Sequence, residues 1–220
     1  DALLVTADLQ GREAVQDGWG RLLGEALPEY CQELSRQGML PPLERVGAIL
    51  GGDFFTHEQM HKRGGSGPVG AVFKAFANHF KFVIAVAGNH DVLPDFKTTP
   101  QAPNLHILDG RYIELDGLKI AGISGVVGNP KKPFRRTEDE FAKAAMNLAN
   151  RQPDFLVMHD GPDGNAGQLG WPLVRAALEQ SSPTLIIRGH AYWDSPLATL
   201  RNDTQIINCD SRVIIMQRAH

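Results

Sequence analysis

Five short segments of this chain carry residues able to bind a divalent cation: Asp8-Leu9-Gln10, Gly52-Asp53, Gly88-Asn89-His90-Asp91, His159 and Gly189-His190-Ala191-Tyr192. Carboxylates, amide oxygens and imidazoles are the donors that Mn, Fe, Zn or Mg accept. Taken singly, each is weak: a lone His159 after a strand reads as a structural histidine, and Asp53 after two glycines reads as a turn residue. Each segment, however, follows an apolar run of strand character: LLVT, VGAIL, FVIAVA, FLVM and TLIIR. Loops that leave the carboxyl ends of neighbouring strands in an α/β sheet converge on one crevice. The five segments therefore predict one site.

The elements that must position them can be read from the apolar pattern. Strands are predicted at 3–6, 45–50, 82–87, 105–108, 111–115, 119–123, 154–158, 184–188, 198–200, 205–208 and 213–217. The runs at 3–6, 45–50, 82–87 and 154–158 are apolar almost throughout, as in strands covered on both faces. Helices are predicted over 18–37, with Pro28 breaking or bending it, and over 69–80, where Val72, Phe73, Phe76 and Phe80 share a face. Thr137-Glu138-Asp139-Glu140 is a capping box opening a helix to Asn150. A short helix over 171–180 has Pro172 in its first turn. The strand-rich end of the chain reads as an antiparallel ribbon.

The bulk numbers exclude several classes. At 220 residues and 42% hydrophobic, the chain suits one sizeable core. A net charge of -3 provides no basic field for nucleic acid. No apolar run approaches the roughly 20 residues of a membrane span. Cys31 and Cys209, far apart in sequence, read as buried free thiols of a reducing compartment, hence a cytoplasmic location.

The order and spacing of the five segments resemble the calcineurin-like metallophosphoesterase superfamily. Its pattern is D-x-H, G-D, G-N-H-[DE], a lone His and G-H-x-H, followed here from residue 8 to residue 192. The resemblance implies an α/β sandwich of two β-sheets flanked by helices, one domain over residues 1–220. It implies hydrolysis of a small phosphomonoester or phosphodiester by direct attack of metal-held water. Two cations about 3.5–4 Å apart neutralise such a substrate and activate the water. One or two divalent ions per chain are implied, drawn from Mn, Fe, Zn or Mg. One position takes Asp53, Asn89, His159 and His190. The other takes Asp8, the bridging Asp53 and the two histidines of D-x-H and G-H-x-H. His90 is expected to contact the phosphate and protonate the leaving oxygen, work that suits an imidazole of pKa ~6.5. Asn89 helps to steady the phosphate.

Three positions depart from the pattern. Gln10 replaces the D-x-H histidine, and Tyr192 replaces the last histidine of G-H-x-H. Gln10 offers a neutral amide oxygen, and Tyr192 must lose a proton of pKa ~10 to bind a cation well. Both changes favour hard ions such as Mg or Mn and weaken the position. Thr56 stands where many members carry an Asp that supports the G-N-H histidine, leaving Asp91 as the candidate support and a third catalytic candidate. These departures also fit an alternative, a non-catalytic scaffold with a degenerate metal site and a protein partner.

Four further motifs compete for attention. His57-Glu58-Gln59-Met60-His61 matches the H-E-x-x-H of zinc metalloproteases. A third ligand is lacking: Gly67 holds the position of the extra histidine, and no Glu lies between Glu58 and Glu114. The segment reads as a rim following Asp53, with His57 a candidate metal or substrate contact. Gly65 to Gly70 matches G-x-G-x-x-G without the preceding strand that dinucleotide binding needs. It reads as a loop entering the next helix. Asp160 to Gly164 reads as a turn that could hold His159. Lys131 to Arg136, the one basic cluster, reads as a solvated loop or an anion contact.

Overall fold

The apolar runs become strands because a layer of helix covers one face of each sheet and the other sheet covers the opposite face. The computed structural model describes residues 2–60, 64–95, 101–182 and 184–217. Its five-stranded sheet runs in the order Arg212–Gln217, Ala2–Ala7, Val46–Leu50, Phe82–Ala85, Leu105–Ile107. Its six-stranded sheet runs Leu197–Thr199, Gln205–Asn208, Leu185–Arg188, Phe155–Met158, Leu118–Ile123, Arg111–Leu115. Four helices flank them among the described residues: α1 (Leu23–Arg36), α2 (Gly70–His79), α3 (Glu138–Ala149) and α4 (Pro172–Glu179). The expected α/β sandwich, a single domain, is the fold. No helix of the described residues is long and apolar enough to cross a membrane.

Strand alternation sorts a uniformly apolar sequence into three core layers. Leu4, Ala48, Leu50, Val83 and Ala85 face α1 and α2, meeting Cys31, Val72, Phe73 and Phe76. Their neighbours Val5, Ile49 and Ile84 face the second sheet and meet Ile120, Val157 and Ile187. Ala121, Leu156, Met158 and Ile186 face outward to Phe141, Ala145, Leu148, Val174 and Leu178 of α3 and α4. The capping box forms as expected: Thr137 Oγ1 accepts from the Glu140 amide and the Glu140 carboxylate accepts from the Thr137 amide. Cys31 and Cys209 are buried and free.

Two expectations need correction. The segment 18–37 is not one helix. Gly18–Leu22 is a strand paired antiparallel with Arg12–Val15, and α1 starts only at Leu23. Trp19 and Leu22 therefore belong to a hairpin, paired with Ala14 and Arg12. Pro28 does not end α1, which continues to Arg36 with Pro28 buried in it. The end of the chain is an antiparallel ribbon only in part, where Leu197–Thr199 pairs with Gln205–Asn208. Gln205–Asn208 pairs parallel with Leu185–Arg188, and Arg212–Gln217 crosses to pair antiparallel with Ala2–Ala7 in the other sheet.

Phe141 is fully buried between α3 and its sheet. Phe141→Ala should destabilise the fold by about 3–5 kcal/mol, read from the urea unfolding midpoint. A loss below about 1 kcal/mol, the size of an average substitution, would contradict this packing.

Candidate metal centre

All five segments leave the carboxyl ends of parallel strands, and their backbones are bent sharply to turn the side chains inward. Asp8, Asp53 and His190 all adopt positive φ, at 55°, 56° and 68°. Such left-handed conformations cost of order 1–3 kcal/mol each for non-glycine residues and persist only where surroundings impose them. Hydrogen bonds across the segments impose them here. The Asp8 amide donates to Gly52 O at 2.9 Å, and the His190 amide donates to Asp8 Oδ2 at 2.8 Å. The Gly189 amide donates to His159 O at 3.0 Å. Two glycines are needed for close approach. A Cβ on Gly88 would collide with Asp53 Oδ1, and one on Gly189 would collide with Asp8 Oδ2.

Asp53, His159 and His190 bring one ligand atom each within 4.8 Å of one another. Asp53 Oδ2 lies 3.3 Å from His159 Nε2, yet Nε2 has no aligned hydrogen bond and is buried. The other ring nitrogen, Nδ1, is 2.7 Å from Gly51 O. It donates there, which leaves Nε2 facing Asp53 and His190, the arrangement that orients a metal-binding histidine. Asn89 Oδ1 is likewise buried without a partner, while the next residue's amide, His90 N, donates to Asp53 Oδ1 at 2.9 Å. Buried polar atoms are normally paired. A buried carboxylate with two imidazoles within ligand distance, and a buried Asn89 oxygen without a partner, fit a divalent cation, so Asp53, His159 and His190, with Asn89, are the residues that could hold it.

Asp91 is spent on the backbone. Its carboxylate accepts from the amides of Asp53 at 2.8 Å, Phe54 at 3.0 Å and Gly88 at 2.8 Å. It therefore clamps the Asp53 loop to the Gly88 loop. The hydrogen bond at the His90 ring comes instead from Ser66, whose Oγ lies 3.1 Å from Nδ1. Thr56 does not replace the missing Asp either, since its hydroxyl donates to Gly64 O. His57 stacks edge-on against Phe55 in a stretch whose only regular feature is a turn at 58–59. The helix that H-E-x-x-H requires is absent over 57–60, and His61 lies outside the described residues. Gly67–Pro68 pairs with Asp91–Val92, so the glycine-rich loop is tied to the G-N-H-D segment rather than following a strand in the dinucleotide manner.

The residues of the second position are differently engaged. Gln10 lays its carboxamide over Gly64, whose Cβ would sit 3.1 Å from Gln10 Nε2. Tyr192 is 53% exposed with the Arg212 guanidinium 4.4 Å above its ring.

Three residues that support the site escape sequence reading. Arg188 is wholly buried, 3.5 Å from Asp160 Oδ1, and donates to the carbonyls of Gly189, Pro162 and Leu169. Asp160 also accepts from Trp171 Nε1 at 2.6 Å and from the Val127 amide at 3.1 Å, which pins the bend after His159; the turn expected over 160–164 lies at 165–166 instead. Asp210 is buried and its charge acts on Asp8. Ser66 is the third. A charged residue closing an apolar run was the available signal for Arg188; Ser66 and Asp210 offered none. In the basic cluster, Arg136 is occupied by Asp109 and Ser124 O.

Burial pushes Asp8 up to about 7, reinforced by Asp210 and Asp53 and opposed by His159. Burial would lower His159, but the Asp53 and Asp8 charges outweigh it and hold the imidazole well above its usual range. Burial and the neighbouring His159 charge lower His190. Without a cation, a proton on His159 balances Asp53. A cation can take Nε2 only after that proton leaves, so uptake near neutral pH releases protons. Apparent affinity should rise with pH through the neutral range, by about tenfold per unit for each proton released. Calorimetric Mn²⁺ titration in buffers of different ionisation enthalpy counts the protons; a release near zero would contradict this electrostatic arrangement.

Comparison with known proteins agrees with the geometry. The sequence profile of the calcineurin-like phosphoesterase family matches residues 2–193. Solved structures share the fold. The protein TT1561 of Thermus thermophilus is 15% identical, with 95% of this chain and 88% of that one covered and a TM-score of 0.60. A hypothetical protein of the same organism is 13% identical, with 96% and 76% covered and a TM-score of 0.50. At such identities the likeness concerns the fold alone. A search of curated proteins found no match. With its profile match spanning all five segments, the chain belongs to the calcineurin-like phosphoesterase family.

Proposed function

We propose that this protein hydrolyses a phosphoester with the help of a divalent cation held by Asp53, Asn89, His159 and His190. The observation that carries the reading is the buried cluster of Asp53, His159 and His190, whose ligand atoms lie within 4.8 Å of one another, with the buried Asn89 Oδ1 left without a partner. A cation bound there supplies Lewis acidity toward a phosphoryl oxygen and lowers the pKa of water. The chain's own residues do the rest. Asp53 contributes the buried negative charge. His159, held by Gly51 O, contributes a fixed Nε2 once its proton has left. His90 follows Asn89 directly and is only partly buried, so its ring can meet substrate. Ser66 sets the orientation of that ring through Nδ1, which leaves Nε2 to carry a proton to the leaving oxygen.

A panel of phosphomonoesters and phosphodiesters, assayed with Mn²⁺, Mg²⁺ and Zn²⁺, tests the proposal. Turnover that needs cation and vanishes in His159→Ala is expected; no turnover of any ester with any cation would overturn it. His90→Ala should lower kcat by roughly 10²–10⁴-fold, the range for a lost acid or base, with metal content unchanged. Ser66→Ala should cost about 5–10-fold in kcat, the worth of about 1 kcal/mol for one neutral hydrogen bond, with little change in KM. Loss of metal in His90→Ala would show that His90 belongs to the ligand set instead.

A further inference from the structure

We propose that this chain holds one cation, not the pair that the family pattern implies. The inference rests on the metal site of the proposed function and narrows it. Among the described residues, the one group of three His, Cys, Asp or Glu side chains able to share an ion is Asp53, His159 and His190. Asp8 and Asp53 are joined by no third such residue there.

The neighbouring position would have to draw its remaining donors from Gln10 and Tyr192, an amide and a phenol in place of two imidazoles, and each already lies against other groups. The Gln10 carboxamide lies against the Gly64 backbone, with Nε2, Cδ and Oε1 all 3.1–3.4 Å from the Gly64 Cβ position. The Tyr192 ring faces the Arg212 guanidinium at 4.4 Å. That guanidinium is itself fixed, donating to Asp210 O and to Trp193 O. The loop is fixed as well: Ala191 O, one residue before Tyr192, accepts from Asn208 Nδ2 at 2.7 Å. Moving Tyr192 to a cation beside Asp8 would break this arrangement. Asp8 already gives one oxygen to the His190 amide at 2.8 Å. What remains at that position is carboxylate oxygen without imidazole, too few donors to offset the repulsion between two divalent ions.

The test has a readout independent of turnover. Purified protein is titrated with Mn²⁺ under equilibrium dialysis, and bound ion is followed by low-temperature electron paramagnetic resonance. One equivalent with an uncoupled six-line spectrum is expected. In parallel, Gln10→His with Tyr192→His supplies two imidazoles and should take up a second equivalent with an exchange-coupled spectrum. Two equivalents and a coupled spectrum in the wild type would overturn the inference while leaving the metal-dependent function intact. No bound ion in a folded wild type would overturn both. A folded double variant still limited to one ion would overturn the assignment of the limit to Gln10 and Tyr192.

Discussion

Buried negative charge governs this end of the molecule. Asp8, Asp53, Asp91 and Asp210 are between 1% and 4% exposed, and all stand where strands of the two sheets run out. An ionised carboxylate taken from water without compensation costs several kcal/mol. Each is compensated differently. Asp91 takes three backbone amides. Asp8 takes the His190 amide, and Asp210 takes the Ser211 hydroxyl at 2.7 Å. Asp53 takes one amide and then faces two imidazoles. Its second oxygen faces His159 Nε2 at 3.3 Å, so a proton on His159 or a cation in its place can balance the charge.

The strain of the site is held by the fold and not by the ion. Asp8, Asp53 and His190 sit in left-handed conformations, and the His190–Asp8 bond among those that keep them there links the two sheets. The His159 ring reaches Gly51 O across the sandwich, and Asp8 reaches the His190 amide in the reverse sense. Behind them, the buried Arg188–Asp160 pair ties the carbonyls of Gly189, Pro162 and Leu169 into one knot. The apolar layers supply the rigid frame, because alternate residues of each strand are committed to different layers and no register slip is tolerated. A preformed cluster of this kind would bind an ion without first ordering the loops.

The strands were legible because burial on both faces leaves uninterrupted apolar runs, and the ligand segments were legible because each follows such a run. The hairpin at 12–22 was not, since Trp19 and Leu22 happen to continue the helical spacing of α1 and only the pairing with Arg12–Val15 decides otherwise. The role of Asp91 was open for a similar reason. Sequence places it next to His90, but its bonds run to Asp53 and Phe54, 38 and 37 residues earlier. Ser66 meets His90 across 24 residues. Contacts of this range depend on how loops cross, which local pattern does not record. Departures at Gln10, Thr56 and Tyr192 could be seen at once, but where those side chains turn could not.

Anomalous diffraction from crystals grown with Mn²⁺ tests the central claim most directly. The predicted result is a single strong anomalous peak within coordination distance of Asp53, Asn89, His159 and His190, with no peak of comparable height beside Asp8. An anomalous map without a peak at those four residues, from protein shown to be folded and exposed to millimolar Mn²⁺, would contradict it.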